Sequence, residues 1–122
     1  MDNLSSYPQI NYHYLERYHK FIKSYKKLNL KRAKGCERHY IMPLGLGGAY
    51  DSDNLVWLPI RARIIAHHML YLIYKQSSNY EARELTVLAF SEMTRHKDIK
   101  VSSRIAILAK DAVSEVLLGD NN

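Results

Sequence analysis

The sequence has little of what several protein classes require. Its 122 residues include one cysteine, Cys36, which excludes an internal disulfide and any zinc site built from several thiolates. The longest apolar runs, such as residues 69–74, fall far short of the ~20 residues of a membrane span. Residues 1–7 are polar and lack the basic start and the apolar stretch of a signal peptide. These absences predict a protein of the reducing cytoplasm.

What the sequence does contain is an ordinary globular composition in a chain of one-domain length. Hydrophobic residues make up 47% of the chain and charged residues 25%, and this composition argues against a fully disordered chain. A chain of 122 residues is about one domain. Folding at this size buries roughly two thirds of the surface of the unfolded chain, so that a hydrophobic core can form. We therefore expect one compact domain, with Trp57 in its core.

Acidic residues are scarce where basic residues are concentrated. The formal net charge is +6, from 18 Lys and Arg against 12 Asp and Glu. Half of the basic residues lie between residues 17 and 38, where Glu37 alone opposes them. They are Arg17, Lys20, Lys23, Lys26, Lys27, Lys31, Arg32, Lys34 and Arg38. Such a segment attracts polyanions, nucleic acid first and an acidic protein second, although a solvated lysine-rich helix face has the same composition.

The spacing of apolar residues predicts a mostly helical chain with two short strands, of class α+β. From Asn11, apolar and aromatic residues recur at steps of three and four, as on one face of a helix. They are Tyr14, Tyr18, Phe21, Tyr25 and Leu28, and we expect the tyrosines among them to lie in the core. Strands are expected at residues 38–42 and 55–58, with a glycine-containing loop at 44–53 between them. The further helices are expected at about residues 60–75, at about 80–94, and from Ser102 or Ser103 onward.

A spaced pattern in the middle of the chain carries the strongest functional signal. It consists of His39-Tyr40, then Pro43, Gly47-Gly48 and Asn54-Leu55, and finally Arg63 and His67, nine and thirteen residues after Asn54. This pattern resembles the finger of the HNH endonucleases, in which a His-His or Asp-His pair, Pro, Gly-Gly and Asn-Leu precede two helix histidines. The flanking Ala89, Met93 and Ser102-Ser103-Arg104 also resemble the small phage-type homing endonucleases.

The resemblance implies a ββα-metal unit at residues 37–76. It lies between a basic helix and connector at residues 1–36 and a C-terminal helical pair at 77–122. Phosphodiester hydrolysis needs a base that deprotonates water and an ion that holds the scissile phosphate. By resemblance, His39 and His67 stand at metal-ligand positions, and Asn54 stands where the family ties the loop and aims the base. The implied cofactor is a divalent ion (Mg, Mn, Ni or Zn) at His39 and His67.

Two positions depart from the family pattern. Tyr40 stands at the general-base position, and a phenol that is protonated at neutral pH is a poor base. Arg63 stands at a metal-ligand position, and a guanidinium has no lone pair to offer a metal. Arg63 would instead bind a backbone phosphate bidentately. These departures predict an inactive or weak nuclease scaffold.

Three functions are open at this point. The first is a degenerate HNH homing-endonuclease-like protein, phage-encoded by resemblance, that binds DNA in the bacterial cytoplasm with little or no cleavage. Its predicted nucleic-acid contacts are Arg61, Arg63, Arg38, Lys20, Lys23, Lys26, Lys27, Lys31, Arg32 and Lys34. The second is an active metal-dependent HNH nicking endonuclease. The third is a phage interaction protein that binds an acidic host protein, and the sequence leaves the oligomeric state open.

Overall fold

The computed structural model describes residues 9–118 and has four helices and two strands there. In chain order they are α1 (Tyr12–Leu28), β1 (Cys36–Tyr40), β2 (Leu55–Pro59), α2 (Ile60–Tyr74), α3 (Tyr80–Met93) and α4 (Ser103–Leu117). Two 3₁₀ turns, Leu44–Leu46 and Ser52–Asn54, lie in the loop between the strands. The predicted α+β class is confirmed. Within the described residues, every helix is too short or too polar to cross a bilayer.

The two strands form an antiparallel hairpin that leads directly into α2. His39 pairs with Val56 and Tyr40 with Leu55, and α2 begins at Ile60, immediately after β2. This ββα arrangement agrees with the finger that the sequence predicts. The predicted first strand, residues 38–42, is placed two residues too late. Strand β1 ends at Tyr40 because the Met42 N–H donates to the side chain of Asn54 (2.8 Å) and not to a neighbouring strand.

Helix α1 begins where Asn11 caps it, since the Asn11 side chain accepts a hydrogen bond from the Tyr14 N–H (3.2 Å). Its buried face consists of Leu15, Tyr18 and Ile22. The predicted apolar stripe is therefore only partly right. Of its members Tyr18 alone is buried, three are half-buried, and Leu28 is 60% exposed. The face of α1 that packs on α2 and β2 is therefore rotated slightly around the helix axis from the predicted apolar stripe.

Helix α2 lies at the centre of the fold, packed between α1 and α3. Most of its residues are buried or half-buried, so its polar side chains are held among apolar neighbours. Helix α4 packs on α3 through its buried residues Ala109, Ala112 and Val116. The Ser102 side chain caps α4 by accepting from the Ile105 N–H (3.2 Å). The central helix is what brings polar groups of α2 against strand β1.

Candidate functional site

Strand β1 and helix α2 bring together four polar side chains. Residues two apart on a strand share a face, and residues four apart on a helix share a face. Glu37 and His39 of β1 therefore face Arg63 and His67 of α2. The rings of His39 and His67 lie nearly perpendicular, with centroids 5.0 Å apart, and Arg63 Nη1 lies 2.7 Å from Glu37 Oε1. The two predicted metal-ligand residues thus lie side by side, with the substituted position next to them.

A buried tyrosine of α1 fixes the orientation of His39. The Tyr18 hydroxyl donates to the Ile41 carbonyl (2.7 Å) and lies 2.9 Å from His39 Nε2. Because the hydroxyl proton is directed to Ile41, His39 Nε2 must carry a proton and donate to Tyr18. His39 Nδ1 is then a bare acceptor. It is buried and makes no hydrogen bond in the described structure, and the same holds for His67 Nε2.

Both imidazoles of the pair are neutral at pH 7. Burial lowers the pKa of His39 well below its ordinary value, and the nearby His67 and Arg63 lower it further. Burial, together with the Arg63 charge, lowers the pKa of His67 to about 4. His39 is only 1% exposed, so its imidazole is shielded from bulk solvent. The site therefore contains two buried, neutral imidazoles, and the lone pair of His39 Nδ1 is not used by any hydrogen bond there.

A second group of charges, beside the histidine pair, involves Glu37, Arg63 and His96. Arg63 Nη1 donates to Glu37 Oε1 (2.7 Å), and His96 Nε2 lies 3.2 and 3.1 Å from the two carboxylate oxygens. Burial opposes ionisation of Glu37, but the hydrogen bonds and charges of His96 and Arg63 outweigh it and lower its pKa. His96 lies between α3 and α4, so this contact joins the C-terminal helices to the finger.

Spacing along the chain does not indicate this cluster. Glu37 stands out in the sequence only as the one acid between residues 17 and 38, and His96 is 59 residues away from it in the chain. Only the folded chain brings the two together.

The donor set does not fit a catalytic divalent ion. Catalytic zinc sites, for example, use three protein ligands, whereas no three His, Cys, Asp or Glu side chains converge within residues 9–118. His39 and His67 supply two neutral donors. Glu37 is engaged by Arg63 and His96, and the Arg63 cation repels a metal ion from the same space. The guanidinium of Arg63 suits an anion better than a metal ion.

Tyr40 and Asn54 lie away from the histidine pair in different ways. Tyr40 projects from the face of β1 opposite to His39, and its ring meets that of Tyr50 edge-on, with centroids 5.8 Å apart. The Asn54 amide accepts from the Met42 N–H (2.8 Å) and donates to the carbonyls of Met42 (2.9 Å) and Ala49 (3.0 Å). Asn54 thus ties the end of β1 to the loop that follows it.

Gly48 makes this tie possible. A Cβ at position 48 would collide with the Met42 carbonyl and crowd the Asn54 amide. The Gly48 N–H also donates to the Pro43 carbonyl (3.1 Å). The Pro, Gly-Gly and Asn of the sequence pattern are therefore joined in one hydrogen-bonded loop.

The predicted nucleic-acid contacts fall into two groups. All except Arg63 are exposed, and most follow α1 and the connector after it. Lys20 pairs with Glu16 on the surface (3.1 Å), and Lys26 Nζ donates to the Asp53 carbonyl (3.2 Å) across the groove between α1 and the loop. Arg63 differs, since it is half-buried and bound to Glu37, and it lines an open cleft together with Arg38 and Trp57.

Comparison with known proteins finds mobile endonucleases of a phage. The chain is 32% identical to Probable mobile endonuclease D of Enterobacteria phage T4 over 106 residues, which are 84% of this chain and 41% of that protein. It is 35% identical to Probable mobile endonuclease E of the same phage over 88 residues (68% of this chain, 57% of that protein). A shorter match of 40 residues, 50% identical, is to Probable mobile endonuclease C of the same phage (33% of this chain, 19% of that protein).

Each match covers only part of the relative. The chain spans less than two thirds of the length of each of these relatives. No protein-family model and no solved structure matches it. The similarity to phage mobile endonucleases agrees with the homing-endonuclease resemblance predicted from the sequence, whereas the HNH class stays a prediction.

Proposed function

We propose that this chain is an HNH-like protein that binds DNA with little or no cleavage. The observation that carries the proposal is the position of Arg63, which lies beside His39 and His67 and is held by Glu37 at 2.7 Å. A cation fixed at this point favours a phosphate over a metal ion. The guanidinium has five N–H donors, so donors remain after the one that binds Glu37. Similarity to phage mobile endonucleases supports DNA as the ligand.

The exposed basic residues supply the second part of the proposal. Those of α1 and the connector are all exposed, and together they are here called the basic face; they are Arg17, Lys20, Lys23, Lys26, Lys27, Lys31, Arg32 and Lys34. Phosphate contacts from such a face release counterions, so affinity falls steeply with salt. They also carry no base information by themselves. We therefore expect strong, salt-dependent binding with modest sequence preference.

The DNA-binding claim is tested by fluorescence anisotropy of a labelled duplex at several salt concentrations. The logarithm of affinity should fall linearly with the logarithm of salt, with a slope of about 0.9 per phosphate contact. A Lys23→Ala, Lys27→Ala double variant should reduce that slope by about 2, and Arg63→Ala should reduce it by about 1. Lys110→Ala on α4 is the matched control, since Lys110 is equally exposed but lies outside the basic face. Slopes unchanged by the first two variants would contradict the proposal.

A metal-dependent nicking endonuclease is the second candidate. The buried, neutral imidazoles of His39 and His67 favour it, because neutral imidazole is the form that binds metals. The test is nicking of supercoiled plasmid in Mg²⁺, Mn²⁺, Ni²⁺, Zn²⁺ and EDTA. Wild-type protein is compared with a Tyr40→His, Arg63→His double variant and with His39→Ala. If the wild type nicks DNA and His39→Ala abolishes this activity, the protein is the nicking endonuclease. If only the double variant nicks DNA, the result supports the first proposal, in which the natural protein binds DNA without cleaving it.

A further inference from the structure

Trp57 lies at the junction of two basic clefts. It is only half-buried, so the expectation that it belongs to the core is wrong. In β2 its neighbours Val56 and Leu58 are buried on one face, and strand alternation directs Trp57 to the other. Trp57 lines one cleft together with Lys26 and Lys31, and a second cleft together with Arg38 and Arg63. Packing in the core does not explain why a half-buried tryptophan lies between two groups of basic side chains.

The cleft between α1 and β2 combines aromatic, amide and basic side chains. Its lining includes Tyr25, Lys26, Asn29, Lys31 and Trp57. In the described part of the chain, none of its lining residues is acidic. Its volume is about 230 Å³, below the roughly 300–1,000 Å³ of pockets that take drug-sized ligands. A cleft of this size and chemistry fits one planar ring with an attached anion.

We propose that this cleft takes one unpaired nucleotide of single-stranded DNA, with its base against the indole of Trp57 and its flanking phosphates on Lys26 and Lys31. The inference rests on the proposed function only in taking DNA as the ligand. Aromatic side chains that stack on bases, beside a cationic track for the backbone, are how proteins bind single strands. Lys26 already reaches over the groove beside this cleft, since its Nζ lies 3.2 Å from the Asp53 carbonyl.

The second cleft continues the path of the strand. It is lined by Cys36, Glu37, Arg38, Trp57 and Arg63. Its one carboxylate, Glu37, is held by Arg63 and His96, and the exposed Arg38 adds a cation to the same cleft. A DNA strand that passes Trp57 would thus run from the lysines of the first cleft to the arginines of the second. Bases of an intact duplex are stacked and paired, and they cannot enter a cleft of this size.

Trp57 is the one tryptophan of the chain, so its fluorescence reports directly on the cleft. The full chain is titrated with a short oligo-dT strand and, separately, with a duplex, while anisotropy of labelled DNA measures binding. We expect saturable quenching by the single strand and much less by the duplex at equal occupancy. Trp57→Leu should weaken single-strand binding by about 5- to 150-fold, the range for loss of one base stack. Its duplex affinity should stay unchanged.

Two further variants separate stacking from folding. Trp57→Phe keeps an aromatic face and should retain most of the single-strand affinity, whereas a merely structural role would make it resemble Trp57→Leu. Lys31→Ala should weaken single-strand binding, and Lys110→Ala on α4 should not. Equal quenching by duplex and single strand, or binding without quenching, would overturn the inference. The proposed function is judged separately, by the salt dependence of duplex binding, so either can fail while the other stands.

Discussion

The buried histidine pair should make the protein lose stability in mildly acidic solution. In the unfolded chain His67 titrates at its ordinary pKa of 6.5, whereas in the folded protein its pKa is about 4. Between these values the unfolded state binds more protons than the folded state, so the free energy of unfolding falls as pH falls. The stabilisation is fully present above pH 6.5 and is lost progressively down to about pH 4.

The size of the effect follows from the two pKa values. A difference of one pH unit corresponds to about 1.36 kcal/mol, so His67 alone accounts for about 3 kcal/mol across the whole interval. Burial also lowers the pKa of His39 and of His68, and both act in the same direction. A domain is typically stable by roughly 5–15 kcal/mol. Acidification to about pH 4 should therefore remove a large part of the free energy of unfolding.

The assay is urea unfolding followed by far-UV circular dichroism from about pH 7 to about pH 5, above the range where carboxylates protonate. Wild-type protein should lose about 2 kcal/mol or more over this interval. In His67→Gln the loss should be smaller by about 2 kcal/mol, whatever its stability at neutral pH. His13→Gln changes an exposed histidine of α1 and should keep the wild-type slope. A flat wild-type profile, or an unchanged slope in His67→Gln, would refute the neutral, buried pair.

Three more predictions concern the loop and the carboxylate. Asn54→Ala removes three hydrogen bonds and leaves buried Met42 groups unpaired, so chemical denaturation should show a loss of about 2–3 kcal/mol. Gly48→Ala places a methyl group against the Met42 carbonyl; thermal unfolding should show a loss of about 1–3 kcal/mol, and an unchanged melting temperature would contradict the close approach. His96→Ala removes a hydrogen bond and a nearby charge from Glu37. The pKa of Glu37, measured by carboxyl carbon NMR, should then rise, and no change would show that Arg63 alone sets it.

The fold was largely predictable because its local signals agree. Asn11, Asn79 and Ser102 each cap a helix with their own side chain, and these three helices begin where the sequence predicts. The error at β1 has a local cause. Ile41 and Met42 have the composition of strand residues, but the Asn54 side chain takes the Met42 N–H, a contact that depends on the folded loop.

The candidate site was predictable only in part. The resemblance to the HNH finger implies that His39 and His67 lie at one site, and in the structure the centroids of their rings are 5.0 Å apart. The partners of Glu37 and of His39 could not be found that way. His96 lies 59 residues from Glu37, and Tyr18 lies 21 residues from His39. Tyr18 was predicted to be buried, but its hydroxyl was not predicted to fix an imidazole.

The arginine at position 63 changes more than one ligand. It adds a positive charge beside His39 and His67, where it lowers the pKa of both, and it engages the carboxylate of Glu37. A carboxylate is a suitable ligand for a hard cation, so Arg63 both repels a metal ion and occupies a group that would attract one. Replacement of Arg63 by a neutral residue removes the repelling charge and one of the two partners of Glu37, and leaves His96 bound to that carboxylate. The Tyr40→His, Arg63→His variant therefore tests a change in the charge of the whole site, and not only the return of two side chains.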